Sequence, residues 1–301
     1  MKLGLLFAGQ GSQYVGMGKE LYETYPQIRD LYNEDIKQLS FEGPIELLSQ
    51  TRNTQPCMLV FANAILRLLK EKNVHYEGVC GLSLGEYSAL LAANALDEKT
   101  VLDVVRYRGA VMEEAVGGLE TKMVAILGLD RESVVECANA CGAYASNFNC
   151  PGQIVIAGFE DNVHKASKMC LEKGAKRALP LNTSGPFHTP LLKQASEKLA
   201  HKLNEVTFNE LSVPFYSNTL ARRLNNEDDL KDILTKQVIS PVYFEDCIQA
   251  MIKDGIDTFV EIGPGKVLSG FVKKVDRKLP IYQIEDLKSL EKFMEAYDEF
   301  R

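Results

Sequence analysis

In the stretch VCGLSLGEYSALLA, Ser83 stands two residues after Gly81 and two before Gly85, behind a short apolar run and ahead of a helical one. This is the spacing of a nucleophile elbow, G-x-S-x-G, in which a strand turns sharply into a helix and the serine takes a strained backbone conformation. Glycines are required at those two places because side chains there would collide across the turn. Gly85, Ala89 and the Ala92-Ala93 pair then give the helix a small face for close approach to a sheet. The alternative is a small-residue turn with no chemistry in it; the strand-to-helix setting favours the nucleophile.

A serine hydroxyl needs a base, and the chain offers four histidines, His75, His164, His188 and His201. His164 (EDNVHKASK) and His201 (EKLAHKLNE) lie in charged helical segments and are expected in solvent, and His75 falls in the polar loop KNVHYEG. His188, in SGPFHTPLL, follows a loop shaped by Gly185 and Pro186, with Phe187 as an apolar wall. It is the candidate base, although a loop histidine with satisfied hydrogen bonds fits the same position. An oxyanion at the reacting carbonyl needs backbone N–H donors. Leu84, opening the elbow helix, supplies one, and the FAGQGSQ loop can supply a second from Gln10. That loop matches G-x-G-x-x-G only superficially, because Tyr14 occupies the third glycine position and no G-K-[ST] follows, so nucleotide binding is not expected.

Two polar side chains fall on apolar helix faces. In DEKTVLDVVRYRGAVMEEAV, Arg108 projects into a stripe with Val101, Val105, Met112 and Ala115, whereas Arg106 lies on the opposite face beside Glu113. A buried charge left unpaired costs about 3–5 kcal/mol, so Arg108 must snorkel or find a partner. The partner is either an internal carboxylate or one on the substrate, which the planar fork grips through two parallel hydrogen bonds. In NNEDDLKDILTKQVISP, Gln237 projects between Ile233 and Leu234, where it can orient His188 or contact an acyl group.

The elements that must position these residues belong to a chain of 301 residues, 46% hydrophobic and 25% charged, which suits one large domain with an insertion or two modest ones. Its net charge of -7 argues against nucleic-acid binding, which needs a surplus of Lys and Arg. No apolar run approaches the roughly 18 residues of a membrane span, and MKLGLLFAGQGS has no secretory h-region, so no membrane contact and a cytoplasmic location are expected. Seven cysteines (57, 80, 137, 141, 150, 170 and 247) lack C-x-x-C spacing and a histidine cluster, so neither disulfides nor a metal is expected. Cys137 and Cys141, one turn apart, read as small helix-face residues.

Strand patterns at 3–7, 77–81, 213–217, 257–262 and 280–284 alternate with helical segments, which predicts an α/β core with a largely parallel sheet. Between 122 and 183 the order becomes β-α-β-β-α-β, a ferredoxin-like unit. The expected division is a core of 1–121 and 184–301 with a subdomain of 122–183 inserted into it.

The blocks FAGQGSQYVGMG, TRNTQP, GLSLGEYSAL, YRGAVMEEAV, SNFNCPGQIVIAG, GAKRALPL, SGPFHTPLL, QVISPVYFEDC and VEIGPGKVLSGFVKK cover nearly the whole chain. Together they resemble the malonyl-CoA:acyl carrier protein transacylases. The resemblance implies an α/β-hydrolase-like core with a ferredoxin-like subdomain. It makes Ser83 the acylated nucleophile, His188 its base and acid held by backbone carbonyls, Arg108 the binder of the malonyl carboxylate and Gln237 a helper. It also places the oxyanion between the N–H groups of Gln10 and Leu84. Phe187-His188 and Leu84 resemble versions that prefer malonyl over methylmalonyl. The implied reaction is ping-pong malonyl transfer from malonyl-CoA to the phosphopantetheine thiol of an acyl carrier protein of fatty-acid or polyketide synthesis, by a monomer, with no metal or redox cofactor. Leu82 stands where the family commonly has histidine, and altered packing or acyl positioning is expected from it. An acidic carrier would need a local basic patch, for which Lys173, Lys176 and Arg177, or Lys273, Lys274, Arg277 and Lys278, are candidates. An acyl-thioester hydrolase using the same serine, and a non-catalytic carrier-binding scaffold, are the competing readings.

Overall fold

The structure, a computed structural model, describes residues 1–182 and 185–299. Along the chain the strands are β1 (Leu3–Phe7), β2 (Gly78–Gly81), β3 (Thr121–Leu127), β4 (Tyr144–Cys150), β5 (Gln153–Phe159) and β6 (Arg177–Pro180). They continue with β7 (Phe215–Ser217), β8 (Arg222–Arg223), β9 (Val242–Tyr243), β10 (Thr258–Ile262) and β11 (Ile281–Ile284).

The first sheet runs β11-β10-β1-β2-β7-β8. Every pairing in it is parallel except that of the edge strand β8 with β7. A parallel sheet is covered on both faces, which is why LGLLF of β1 is buried at every position instead of alternating. The helices Thr51–Glu71, Gly85–Ala92 and Glu98–Val116 pack together beside this sheet, and every residue of the short Gly85–Ala92 helix is buried. This is the predicted α/β architecture.

The second sheet runs β6-β3-β5-β4-β9. Its first four strands are joined in the β-α-β-β-α-β order read from the sequence and pair antiparallel throughout. The period of two sorts their side chains. Val124, Ile126, Ile154 and Ile156 pack with the helices Arg131–Ala140 and Glu160–Glu172, while Met123, Ala125, Val155 and Ala157 join the main core. A fifth strand, β9, comes from the later part of the chain and pairs parallel to β4. It was not anticipated, because two residues carry no periodicity. The expected return to the core at residues 183 and 184 lies outside the described residues.

Candidate active site

Neighbouring parallel strands β1, β2 and β7 end at one edge of the first sheet, and the loops leaving them carry Gln10, Ser83 and Asn218. Open α/β sheets bind ligands outside the carboxyl ends of their strands, so this edge is where chemistry is expected. The corner at Ser83 is tight. A Cβ on Gly81 would lie 1.9 Å from the Gly85 carbonyl carbon, and one on Gly85 would lie 2.2 Å from the Phe7 carbonyl oxygen. Ser83 itself adopts φ 53°, the left-handed region, at a cost on the order of 1–3 kcal/mol. Two amides hold it there. The Ser83 N–H donates to Asn218 Oδ1 at 2.7 Å, while Asn218 Nδ2 donates to the Gly81 carbonyl at 2.8 Å. From the other side, Gln237 Nε2 donates to the Ser83 carbonyl at 3.0 Å.

His188 is 3% exposed and also left-handed, with φ 61°. Its Nε2 lies 2.7 Å from Ser83 Oγ, and its Nδ1 lies 2.8 Å from the Gln237 carbonyl oxygen. A proton on Nδ1 donated to that carbonyl leaves Nε2 as the acceptor for the serine hydroxyl. Burial, and then the Arg108 charge, push the imidazole down to about 4, against backbone hydrogen bonds to Gln237 and Ser240 that favour protonation. The ring is therefore a neutral base at pH 7. The other three histidines are exposed, as read from their segments.

Arg108 lies on the apolar face of its helix and is completely buried, so it does not snorkel to solvent. Its Nη1 donates to Gln55 Oε1 at 2.8 Å, and its Nη2 donates to Gln237 Oε1 at 2.9 Å and to Ser83 Oγ at 3.3 Å. The guanidinium carbon lies 5.4 Å from the Tyr87 ring centre. No carboxylate forms an ion pair with it among the described residues. The expected alternative, an internal pair, is absent there. Burial lowers the Arg108 pKa. Glu86, also fully buried, accepts from Gln237 Nε2 through its Oε2, so the Gln237 amide links it to Arg108. Arg106, expected beside Glu113, instead pairs with Asp35 at 2.7 Å, while Glu113 pairs with Arg52.

Gln237 accepts from His188 Nδ1 through its main-chain carbonyl, and its side chain reaches the Ser83 carbonyl and the Arg108 fork. Sequence reasoning missed Gln55, Glu86 and Asn218. Glu86 carried a signal, a carboxylate inside the otherwise uncharged run GEYSALLAANAL, whereas Asn218 is an ordinary post-strand residue by sequence.

Ser83, Arg108 and His188 open into a cavity of about 290 Å³ between the two sheets. Phe187, Leu82 and Leu84 line it on one side, and Met123, Ala125 and Val155 line it on the other. Gln10 stands on its wall with its Nε2 donating to Thr51 Oγ1 at 3.1 Å. Among the described residues the backbone N–H groups of Gln10 and Leu84 donate to no other group, and both residues line the cavity with Ser83. Leu82 packs with the apolar cluster around Phe244 and Phe271 and contributes no titratable group. All seven cysteines are free, and no metal-holding group occurs among the described residues. In the two basic clusters, Lys173 pairs with Glu136 at 2.6 Å and Lys273 donates to the Arg277 and Leu279 carbonyls, so neither cluster presents all its charge freely.

Residues 5–290 match the family model described as acyl transferase domain. Malonyl CoA-acyl carrier protein transacylase from Bacillus subtilis is 44% identical over 96% of this chain and 95% of its own. The protein of the same name from Escherichia coli K12 is 38% identical over 91% and 93%. A crystal structure of that transacylase from Clostridium perfringens superposes with a TM-score of 0.95 at 40% identity, covering 100% of this chain and 98% of the other. A malonyl-transacylase solved in complex with its type II PKS acyl-carrier protein gives a TM-score of 0.95 at 34% identity, covering 98% and 100%. With nearly full-length identity of this level and a shared fold, the chain belongs to the malonyl CoA-acyl carrier protein transacylase family of acyl transferases.

Proposed function

We propose that this chain transfers the malonyl group of malonyl-CoA to the phosphopantetheine thiol of an acyl carrier protein through a malonyl ester on Ser83. The observation that carries this reading is Arg108, a fully buried cation forked between neutral amides, with Nη2 3.3 Å from the nucleophile and no carboxylate partner among the described residues. A carboxylate at the far end of the acyl group supplies the missing charge and is held for attack at the near end. In the first half-reaction Ser83 Oγ bonds to the thioester carbonyl carbon as its proton passes to His188 Nε2. The developing oxyanion accepts from the N–H groups of Gln10 and Leu84. Collapse breaks the carbon–sulfur bond, and the departing CoA thiolate takes the proton from His188. In the second half the carrier's thiol gives its proton to His188 and attacks the malonyl ester; the ester carbon–oxygen bond breaks and Ser83 Oγ takes the proton back from His188. Each step moves only a proton or an acyl group, so the chemistry calls for no metal or redox cofactor.

Phe187 and Leu84, on the cavity wall, support a preference for malonyl over the bulkier methylmalonyl. The proposed organisation is a core of 1–121 and 184–301 that supplies the catalytic groups and a subdomain of 122–183 that closes the cleft, at work in the cytoplasm. No described helix is long and apolar enough to cross a membrane. The test of the carboxylate-binding role is Arg108→Ala. A hydrogen bond to a charged group is worth about 1.5–3 kcal/mol, so the variant loses that much transition-state binding for malonyl-CoA and far less for acetyl-CoA. Equal losses for the two thioesters would contradict the assignment.

A further inference from the structure

Glu86 is the second residue of the Gly85–Ala92 helix, and its side chain is shut away from solvent behind the nucleophile. Both carboxylate oxygens are engaged. Oε1 accepts from the Asn218 backbone N–H at 2.7 Å, and Oε2 accepts from Gln237 Nε2. The two ends of an amide are distinguished only by their partners, one end donating and the other accepting. An ionised carboxylate accepts only, as the Ser83 carbonyl does, so the two together turn the Gln237 NH2 toward themselves, and the carboxylate supplies the stronger, charge-assisted bond. The opposite end, Oε1, is thereby directed at Arg108 Nη2, 2.9 Å away. With the amide reversed, its NH2 would face the guanidinium donor to donor and the fork would be displaced.

We propose that Glu86 is a positioning residue for acyl selection: as a carboxylate it fixes the orientation of the Gln237 amide and so holds the Arg108 fork in place for a carboxylate-bearing acyl group. The inference rests on the acyl-transfer reading above and deepens it. Burial raises the Glu86 pKa to about 7, against the hydrogen bonds from Asn218 and Gln237 and the Arg108 charge, so its ionisation falls within the working range. The groups facing it from the surrounding elements do not titrate there. His188 is held down to about 4, Tyr87 is pushed up to about 12, Cys80 is pushed well above its ordinary value, and Arg108 stays cationic. Protonation removes the charge that strengthens the bond from the Gln237 NH2, and Ser217, whose side chain also hydrogen-bonds Glu86, can take the new O–H, so the hold on the amide weakens to that of a neutral pair.

The experiment measures kcat/KM for Ser83 acylation by malonyl-CoA and by acetyl-CoA from pH 5.5 to 8.5, in wild type and Glu86→Gln. In the variant the new amide can keep its carbonyl on the Asn218 N–H, which leaves its NH2 against Gln237. The wild-type malonyl-to-acetyl ratio is expected to fall about tenfold as the pH drops through about 7, and the variant is expected to keep the low ratio at every pH. Acetyl transfer changes much less in both. A ratio that is flat with pH in wild type, or equal to wild type in the variant, overturns the inference. If the variant does not fold, the wild-type profile decides alone. Wild type that is acylated by neither thioester overturns the acyl-transfer reading itself, and the inference with it.

Discussion

His188 is kept neutral by its surroundings, and that has a cost visible in the pH dependence of folding. In the unfolded chain the imidazole takes its proton near 6.5, whereas in the fold burial and Arg108 hold it to about 4. As the pH falls below 6.5 the unfolded state gains a proton that the folded state refuses, so the contribution of this group to stability is present above 6.5 and is lost toward 4. A shift of this size corresponds to about 3 kcal/mol. Glu86 acts in the opposite sense, since its raised pKa makes the folded state take up a proton first as the pH falls. The two are separated by comparing wild type with His188→Asn in urea unfolding. The stability of wild type relative to the variant is expected to drop by about 3 kcal/mol between pH 7 and 4, and a constant difference would show that the imidazole is not held neutral.

The strand β2, the corner and the helix that follows form a unit whose glycines are of two kinds. Gly81→Ala places a methyl 1.9 Å from a backbone carbonyl carbon, where no side chain can swing aside, and is expected to cost more than about 3 kcal/mol or to abolish folding. Gly270 lies in the exposed part of the helix Val267–Val275 with nothing within 4 Å of its Cβ site, and Gly270→Ala is expected to stabilise by roughly 0.5–1 kcal/mol. Thermal unfolding of both variants checks the pair; a mild effect at Gly81 would contradict the corner. The corner was legible because its glycine spacing is local, and the parallel strands of the first sheet were legible because buried parallel strands make apolar runs, as LGLLF of β1 does. Strands β8 and β9 were not, since two residues each carry no pattern. Arg108 and Gln237 were found by helical phase, but their partners were not. Asn218 is 135 residues from the Ser83 N–H that it accepts, and nothing in its own neighbourhood marks it. His188 stood out among the four histidines by its loop, whereas malonyl as the acyl group came from the resemblance to the family.

At the scale of the molecule, a chain of net charge -7 has to meet a carrier, and an acidic one needs a basic landing site near the cleft mouth. Lys176 and Arg177 are exposed at the start of β6, and the chain leaving that strand brings Leu181 and Asn182 to the cavity wall. Reversing both charges is expected to raise the KM for carrier severalfold, with salt-sensitive kinetics, and to leave malonyl-CoA acylation unchanged; an unaltered carrier KM would move the docking site to Lys274, Arg277 and Lys278. The central claim concerns what the cleft between the two sheets does with an acyl group, and intact-protein mass spectrometry tests it most directly. Wild type and Ser83→Ala are exposed briefly to malonyl-CoA, and holo acyl carrier protein is then added. The account predicts a malonyl adduct on wild type alone, discharged to the carrier as malonyl-carrier. An adduct that decays to free malonate regardless of carrier, or an adduct that forms equally on Ser83→Ala, would contradict it.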